Sequence, residues 1–183
     1  MQINTVNLAN SYRVLLLENI FPNELLTQIN LLCDSSETDN TDWQYPEWTK
    51  LRKIYRGTDS AYLEVKHYLS SKQFTESVEH ILQKKMQFSD MALWADYPGY
   101  GALLPHMEQH GQGQGQIFLN RKEFITNGTT FMNDSKQALF TLAYRNNYGW
   151  YMDECTKIMH SREFDVPEDI VRYSLLFWHN YEI

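Results

Sequence analysis

The sequence predicts an α+β fold in which N-terminal helices support a C-terminal β barrel or sandwich. Three observations predict it. Apolar residues recur at helical spacing from Leu25 to Cys33 and again between Tyr62 and Leu82. From Phe88-Ser89-Asp90 onward, short apolar stretches alternate with Gly/Asn/Asp turns every ~8–12 residues. The length, 183 residues, suits one domain spanning 1–183. A chain of this size buries roughly 70% of the surface its unfolded form exposes, enough for a core without staples.

The elements follow in chain order. Ser11 to Glu18 (SYRVLLLE) reads as a buried strand because it is rich in β-branched and aliphatic residues. Pro22-Asn23-Glu24 opens a helix whose apolar positions are Leu25, Leu26, Ile29, Leu31 and Leu32. Asp34 to Asp42 (DSSETDNTD) is polar and aperiodic, hence a loop. Thr58-Asp59-Ser60 caps a helix through Tyr62, Val65 and Leu69, which Ser70-Ser71 interrupts. A second helix through Phe74, Val78, Ile81 and Leu82 ends in Lys84-Lys85, where cations suit the negative end of the helix dipole. Residues 1–88 thus read as mostly helical support with one early strand.

Residues 89–183 read as the β core. The expected strands are Met91–Tyr97, Gly101–Glu108, Gln116–Asn120, Thr129–Asn133, Ala138–Tyr144, Gly149–Asp153, Cys155–His160 and Val171–His179. Asn127-Gly128 is expected to turn a hairpin between Phe124-Ile125 and Thr129-Thr130-Phe131. Asn146-Asn147-Tyr148-Gly149 is expected to turn another. Gly111 to Gln116 (GQGQGQ) reads as a flexible low-complexity loop, or as a lid if it follows a catalytic strand. Pro105 cannot donate a ladder hydrogen bond, so its strand should lie at an edge or carry a bulge.

Composition excludes several function classes. With 43% hydrophobic and 21% charged residues, wholesale disorder is ruled out. No apolar run approaches the ~18 residues of a membrane span. No basic-then-apolar segment suggests a secretory signal, and Cys33 and Cys155 form neither a disulfide framework nor a CxxC pair. The expected location is cytoplasmic. A net charge of −7, from 16 basic and 23 acidic residues, disfavours binding to a phosphate backbone, so no nucleic acid is expected as partner or substrate. Aromatics reach 14%, which fits either a cleft for an organic ligand or an aromatic-lined β core.

The candidate chemistry begins with six histidines. His67 and His80 fall on the helices among charged neighbours and read as surface residues; His179 reads as structural or exposed. His106 and Glu108 differ. At positions i and i+2 of a strand end they share a face, ~6.6 Å apart along the chain, a suitable start for chelating one metal ion. His160 ends another expected strand and is the candidate third ligand. Two neutral imidazoles and one carboxylate suit non-haem Fe(II), leaving three positions for a co-substrate and O₂. The HxE pair alone also fits two polar residues at a strand end. His110, four residues past His106, is a competing ligand.

Downstream, Arg172 opens the last apolar strand and Ser174 follows on the same face. A guanidinium inside a barrel needs an anion. A carboxylate ligand held by the fork and the hydroxyl is one solution. An internal salt bridge to Asp153, Glu154 or Glu168 is the other.

At this point several stretches, taken together, resemble a known family. They are Leu93-Trp94-Ala95-Asp96-Tyr97-Pro98-Gly99-Tyr100, His106-Met107-Glu108, Gln116-Ile117-Phe118-Leu119-Asn120, Gly128-Thr129-Thr130-Phe131, Asn147-Tyr148-Gly149-Trp150, His160 and Arg172-Tyr173-Ser174. The order resembles that of the Fe(II)- and 2-oxoglutarate-dependent dioxygenases: a PGY turn, HxD/E, three further strand motifs, the distal His, and RxS. It covers roughly residues 90 to 178. The resemblance implies a double-stranded β-helix, a jelly-roll or cupin-like barrel. It implies that His106, Glu108 and His160 hold Fe(II) and that Arg172 and Ser174 hold the distal carboxylate of 2-oxoglutarate. It implies a hydroxylase that uses O₂ and releases succinate and CO₂. Keeping the carboxylate ligand argues against a halogenase.

The substrate class stays open between a small molecule and a peptidyl residue, with Trp94, Tyr97, Tyr100 and Trp150 as candidate site walls. Two other readings remain: a non-catalytic cupin-like module that binds a carboxylate or a protein partner, and a hydrolase or isomerase with a redox-inert metal.

Overall fold

The computed structural model describes residues 1–8, 12–38, 40–108, 112–120 and 124–182, of which 124–127 are described by their backbone alone. His110 lies outside them. The elements are β1 (Gln2–Asn7), β2 (Arg13–Glu18), α1 (Asn23–Asp34), β3 (Trp43–Gln44), β4 (Arg52–Tyr55), α2 (Ser60–Ser70), α3 (Lys72–Leu82), β5 (Met86–Asp96), β6 (Leu103–His106), β7 (Gly113–Phe118), β8 (Phe124–Met132), β9 (Ala138–Tyr144), β10 (Tyr148–Met152), β11 (Met159–Arg162) and β12 (Arg172–Tyr181).

The strands form two sheets. The major sheet runs β1-β2-β10-β7-β12-β5-β4-β3, and the minor sheet β6-β11-β8-β9. From β5 to β12 the chain passes back and forth between them, and all pairings are antiparallel. This is the double-stranded β-helix.

The major sheet has two working faces, and strand alternation separates them. One face presents Leu15, Leu17, Leu93, Ile117, Leu175 and Phe177 to the three helices in a single apolar core. The helices answer with Ile29, Val65, Phe74 and Val78, all without solvent exposure. Each such side chain contributes about 1.5–3 kcal/mol on burial. The other face meets the minor sheet, where Phe118, Phe131, Tyr144 and Trp150 build a second core.

Helix limits follow side-chain capping. The Asp59 carboxylate accepts from Ala61 N at the start of α2, and the Ser71 hydroxyl accepts from Phe74 N at the start of α3. Serine at the α2–α3 junction therefore ends one helix and caps the next. Beyond α3, Gln83 turns left-handed at φ 57°.

Several expectations are corrected. The first 88 residues are not helical apart from one strand: they also contain β1, β3, β4 and the opening of β5, so the boundary near Phe88 falls inside a strand. β1, β3 and β4 lie at or next to the two edges of the major sheet, and β1 is largely exposed, which leaves little apolar signal. GQGQGQ is no loop from Gly113 onward: it forms β7, fully buried between β10 and β12. A side chain at Gly115 would lie 2.1 Å from the Phe177 ring, so glycine is required by close packing.

Asn127-Gly128 does not turn a hairpin. β8 runs through it, and the register with β9 slips between Phe124 and Thr129. A Cβ on Gly128 would collide with the Leu142 carbonyl, so glycine here serves the bulge. Asn146-Asn147 does turn, with Asn147 at φ 59°, but it carries the chain from β9 of one sheet to β10 of the other. Cys155 lies in a turn, and β11 begins only at Met159. Pro105 does lie on an edge strand, and the pairing of β6 with β11 shifts register between His160 and Arg162.

Candidate metal centre and cavity

His106 closes β6, and His160 lies directly across from it on β11. Their ring centroids are 4.4 Å apart. Glu108 sits just past the end of β6, where its backbone N–H donates to the Cys155 carbonyl at 3.2 Å. One candidate ligand atom from each of the three residues falls within 4.8 Å of the others. The sequence expectation that they converge is met in space.

Each group is held in a donor-ready state. Nδ1 of His106 lies 2.7 Å from the Leu104 carbonyl, and Nδ1 of His160 lies 3.3 Å from that of Ile158. A carbonyl can only accept, so Nδ1 carries a proton, and Nε2 is the nitrogen that would serve a metal once it is unprotonated. Nε2 of His160 lies 3.4 Å from Glu108 Oε1. Gln114 donates to the same oxygen at 2.7 Å, and Trp178 Nε1 donates to Gln114 Oε1 at 2.8 Å. Burial opposes the charge on Glu108, but His160, then Gln114 and His106, outweigh it and hold the carboxyl below its ordinary range. The donor set is thus two imidazoles and one ionised carboxylate, which fits Fe(II).

The cluster opens into a cavity of about 360 Å³ between the sheets. At its far end β4, β5 and β12 lie side by side, and Arg52, Asp96 and Arg172 are paired across them in one row. Asp96 is fully buried and binds three guanidiniums. Arg52 reaches it through Nε at 2.5 Å and Nη2 at 3.0 Å, Arg162 at 3.1 Å and Arg172 at 3.3 Å. Arg162 arrives from the minor sheet, two residues past His160. Burial pushes the Arg162 pKa down to about 10, with Arg172 adding repulsion and Asp96 opposing the fall. Burial also lowers that of Arg172.

Arg172 therefore finds its acidic partner in Asp96. The sequence candidates lie elsewhere: Asp153 pairs with Arg13 and Lys84, Glu154 with Lys84 and Lys157, and Glu168 is exposed. Ser174 is fully buried and its hydroxyl lies 3.4 Å from the Arg172 guanidinium. Of the candidate wall aromatics, Trp94, Tyr100 and Trp150 line the cavity. Tyr97 does not; it donates to the Ser36 carbonyl and stacks near Tyr45.

The architecture can now be compared with solved structures. A 2OG-Fe(II) oxygenase family oxidoreductase from Burkholderia pseudomallei superimposes with a TM-score of 0.69 over 91% of this chain and 84% of that one, at 10% identity. A Pseudomonas putida prolyl-4-hydroxylase gives 0.66 over 92% of each chain at 12% identity. The chain has the fold of the 2OG-Fe(II) oxygenases. HygX from Streptomyces hygroscopicus, solved with nickel and 2-oxoglutarate bound, gives 0.65 over 91% of this chain and 82% of that one at 9% identity. No protein-family model matches the sequence, and no curated protein does either.

Within that fold, sequence reasoning missed Arg52, Asp96, Gln114, Gln116 and Arg162 as site residues. Two signals were legible. Arg162 follows His160 at i+2, and the glutamines of GQGQGQ alternate with glycines at the strand period. Arg52 and Asp96 carry no local signal, because only the sheet order brings them together. Among the described residues, no helix is long and apolar enough to cross a membrane.

Proposed function

We propose that this chain is an Fe(II)- and 2-oxoglutarate-dependent oxygenase that hydroxylates a C–H bond. His106, Glu108 and His160 would hold the metal. Arg172, with Ser174, would hold the distal carboxylate of 2-oxoglutarate. The observation that carries the reading is a ligand triad, both of its imidazoles held at Nδ1 by backbone carbonyls, that lines the same cavity as a buried guanidinium cluster.

Bound iron would supply the oxygen activation that couples decarboxylation of 2-oxoglutarate to substrate oxidation. Substrate, 2-oxoglutarate and O₂ would give hydroxylated product, succinate and CO₂, one oxygen atom entering each of the first two. The chain's own residues set the geometry. The Leu104 and Ile158 carbonyls fix the two imidazole tautomers. Gln114, itself anchored by Trp178, orients the Glu108 carboxylate. Arg172 sits among Phe118 and Tyr144, where low polarity strengthens its hold on an anion. Trp150 donates to Thr129, which lies 3.3 Å from Gln116, so the middle of the wall is held rigid.

The test is anaerobic addition of Fe(II) and 2-oxoglutarate. A visible charge-transfer absorption is expected, and His160→Ala should abolish it. On admitting O₂, the wild-type protein should form succinate from 2-oxoglutarate. A band that survives His160→Ala would remove the third ligand. Metal binding without a band or succinate would favour a redox-inert metal enzyme or a binding module.

A further inference from the structure

The far end of the cavity holds more positive charge than one co-substrate can meet. Arg52 and Arg162 share one carboxylate, Asp96, which Arg172 also touches, so among the described residues at least one positive charge remains besides that of Arg172. The distal carboxylate of 2-oxoglutarate would answer Arg172. A second charge in a site this buried calls for a second anion.

Unsatisfied donors mark the same cavity. Arg162 is only 2% exposed, yet its Nε has no hydrogen-bond partner among the described residues. Trp94 Nε1 is also buried without one. Both residues line the cavity, Arg162 from β11 of the minor sheet and Trp94 from β5 of the major sheet. Buried polar atoms are rarely left unpaired, and two that can only donate, reaching one cavity from its two sides, suit a ligand that accepts. Arg162 is otherwise fixed: Nη1 bonds Asp96 at 3.1 Å and Nη2 bonds the Tyr100 carbonyl at 3.1 Å and that of Gly101. Arg52 is clamped against Trp94 and Tyr100, its guanidinium 3.8 and 4.4 Å from their ring centroids. The charge is thus pre-positioned and costs little further ordering when a ligand arrives.

We propose that Arg162, with Trp94, binds a carboxylate of the substrate, so that the substrate class is a small carboxylic acid. The cavity, about 360 Å³, is near the lower end of the roughly 300–1,000 Å³ of small-molecule sites. This inference rests on the oxygenase reading, since it assigns Arg172 to 2-oxoglutarate and Arg162 to the substrate.

The test uses protein loaded with Mn(II) and saturating 2-oxoglutarate, with acetate as probe and acetamide as its neutral counterpart. Proton relaxation of the probe methyl group by bound Mn(II) reports binding near the metal and needs no turnover. Acetate should relax at least fivefold faster than acetamide. Arg162→Gln should remove that difference while changing 2-oxoglutarate affinity less than threefold. If Arg162→Gln does not fold, Arg162→Lys, which keeps the charge but loses Nε, should still lower the acetate effect at least threefold. Equal relaxation of acetate and acetamide in the wild-type protein would overturn the inference. A tenfold loss of 2-oxoglutarate affinity in either variant would also overturn it, by giving Arg162 to the co-substrate. Both results leave the oxygenase reading standing, whereas failure of the Mn(II)-loaded wild-type protein to bind 2-oxoglutarate would sink the two together.

Discussion

The two faces of β12 lead opposite lives. Tyr173, Leu175 and Phe177 join the apolar core under the helices, while Arg172 and Leu176 line the cavity. His179 belongs to the first face and His160, across the cavity, to the second. His179 is fully buried, its ring 5.7–6.2 Å from those of Phe74, Phe88, Tyr151 and Phe177, and burial pushes its pKa down to about 4. His160 is almost as buried but faces a carboxylate and another imidazole. Burial alone therefore does not mark a functional histidine. What distinguishes His160 is the carboxylate and the second imidazole that face its ring.

The contrast can be tested hardest at Asp96. If the cavity face were dispensable to the fold, removing its carboxylate would matter little. Because three buried guanidiniums share it, Asp96→Ala should cost about 3–5 kcal/mol in urea unfolding. A loss below about 1 kcal/mol would show that the cluster is well solvated and that stability resides on the helix face alone.

The next effect lies on the opposite face. His179 has a folded pKa of about 4 against 6.5 for the free group, so between those values the unfolded chain binds more protons. Its contribution is whole above pH 6.5 and is lost as the pH falls toward 4. The loss amounts to ~3 kcal/mol. His179→Leu should flatten this part of the stability-against-pH curve while leaving Mn(II) affinity unchanged. An unaltered curve would mean that other groups carry the acid sensitivity.

The smallest effect sharpens the comparison at the metal. Gln114 touches both Glu108 and Trp178, so Gln114→Ala should weaken Mn(II) binding about 10–100-fold by titration calorimetry. Its cost in stability should be only about 1 kcal/mol. An unchanged metal affinity would show that Glu108 needs no orienting partner.

Local patterns reached far into this molecule. Apolar periodicity and capping residues announce α1, α2 and α3, because helix signals depend on residues three and four apart. Strand alternation singles out His106 with Glu108 and Arg172 with Ser174, and the resemblance to the 2-oxoglutarate-dependent dioxygenases implies that His160 joins the first pair. The same alternation in GQGQGQ also specifies β7, but glycine and glutamine carry no hydrophobic contrast, so composition argued for a loop. β1, β3 and β4 stayed silent because strands at or near a sheet edge bury little.

By itself, then, the sequence determined the helices and most central strands, which depend on neighbours along the chain, while its resemblance to the 2-oxoglutarate-dependent dioxygenases named the three candidate ligands. Only the tertiary structure decided that Arg52, Asp96, Arg162 and Arg172 meet around one cavity. Those residues come from β4, β5, β11 and β12, and their meeting depends on the order in which strands pair and on how the two sheets face each other. No local spacing encodes that order, because it is settled by which faces must be buried together.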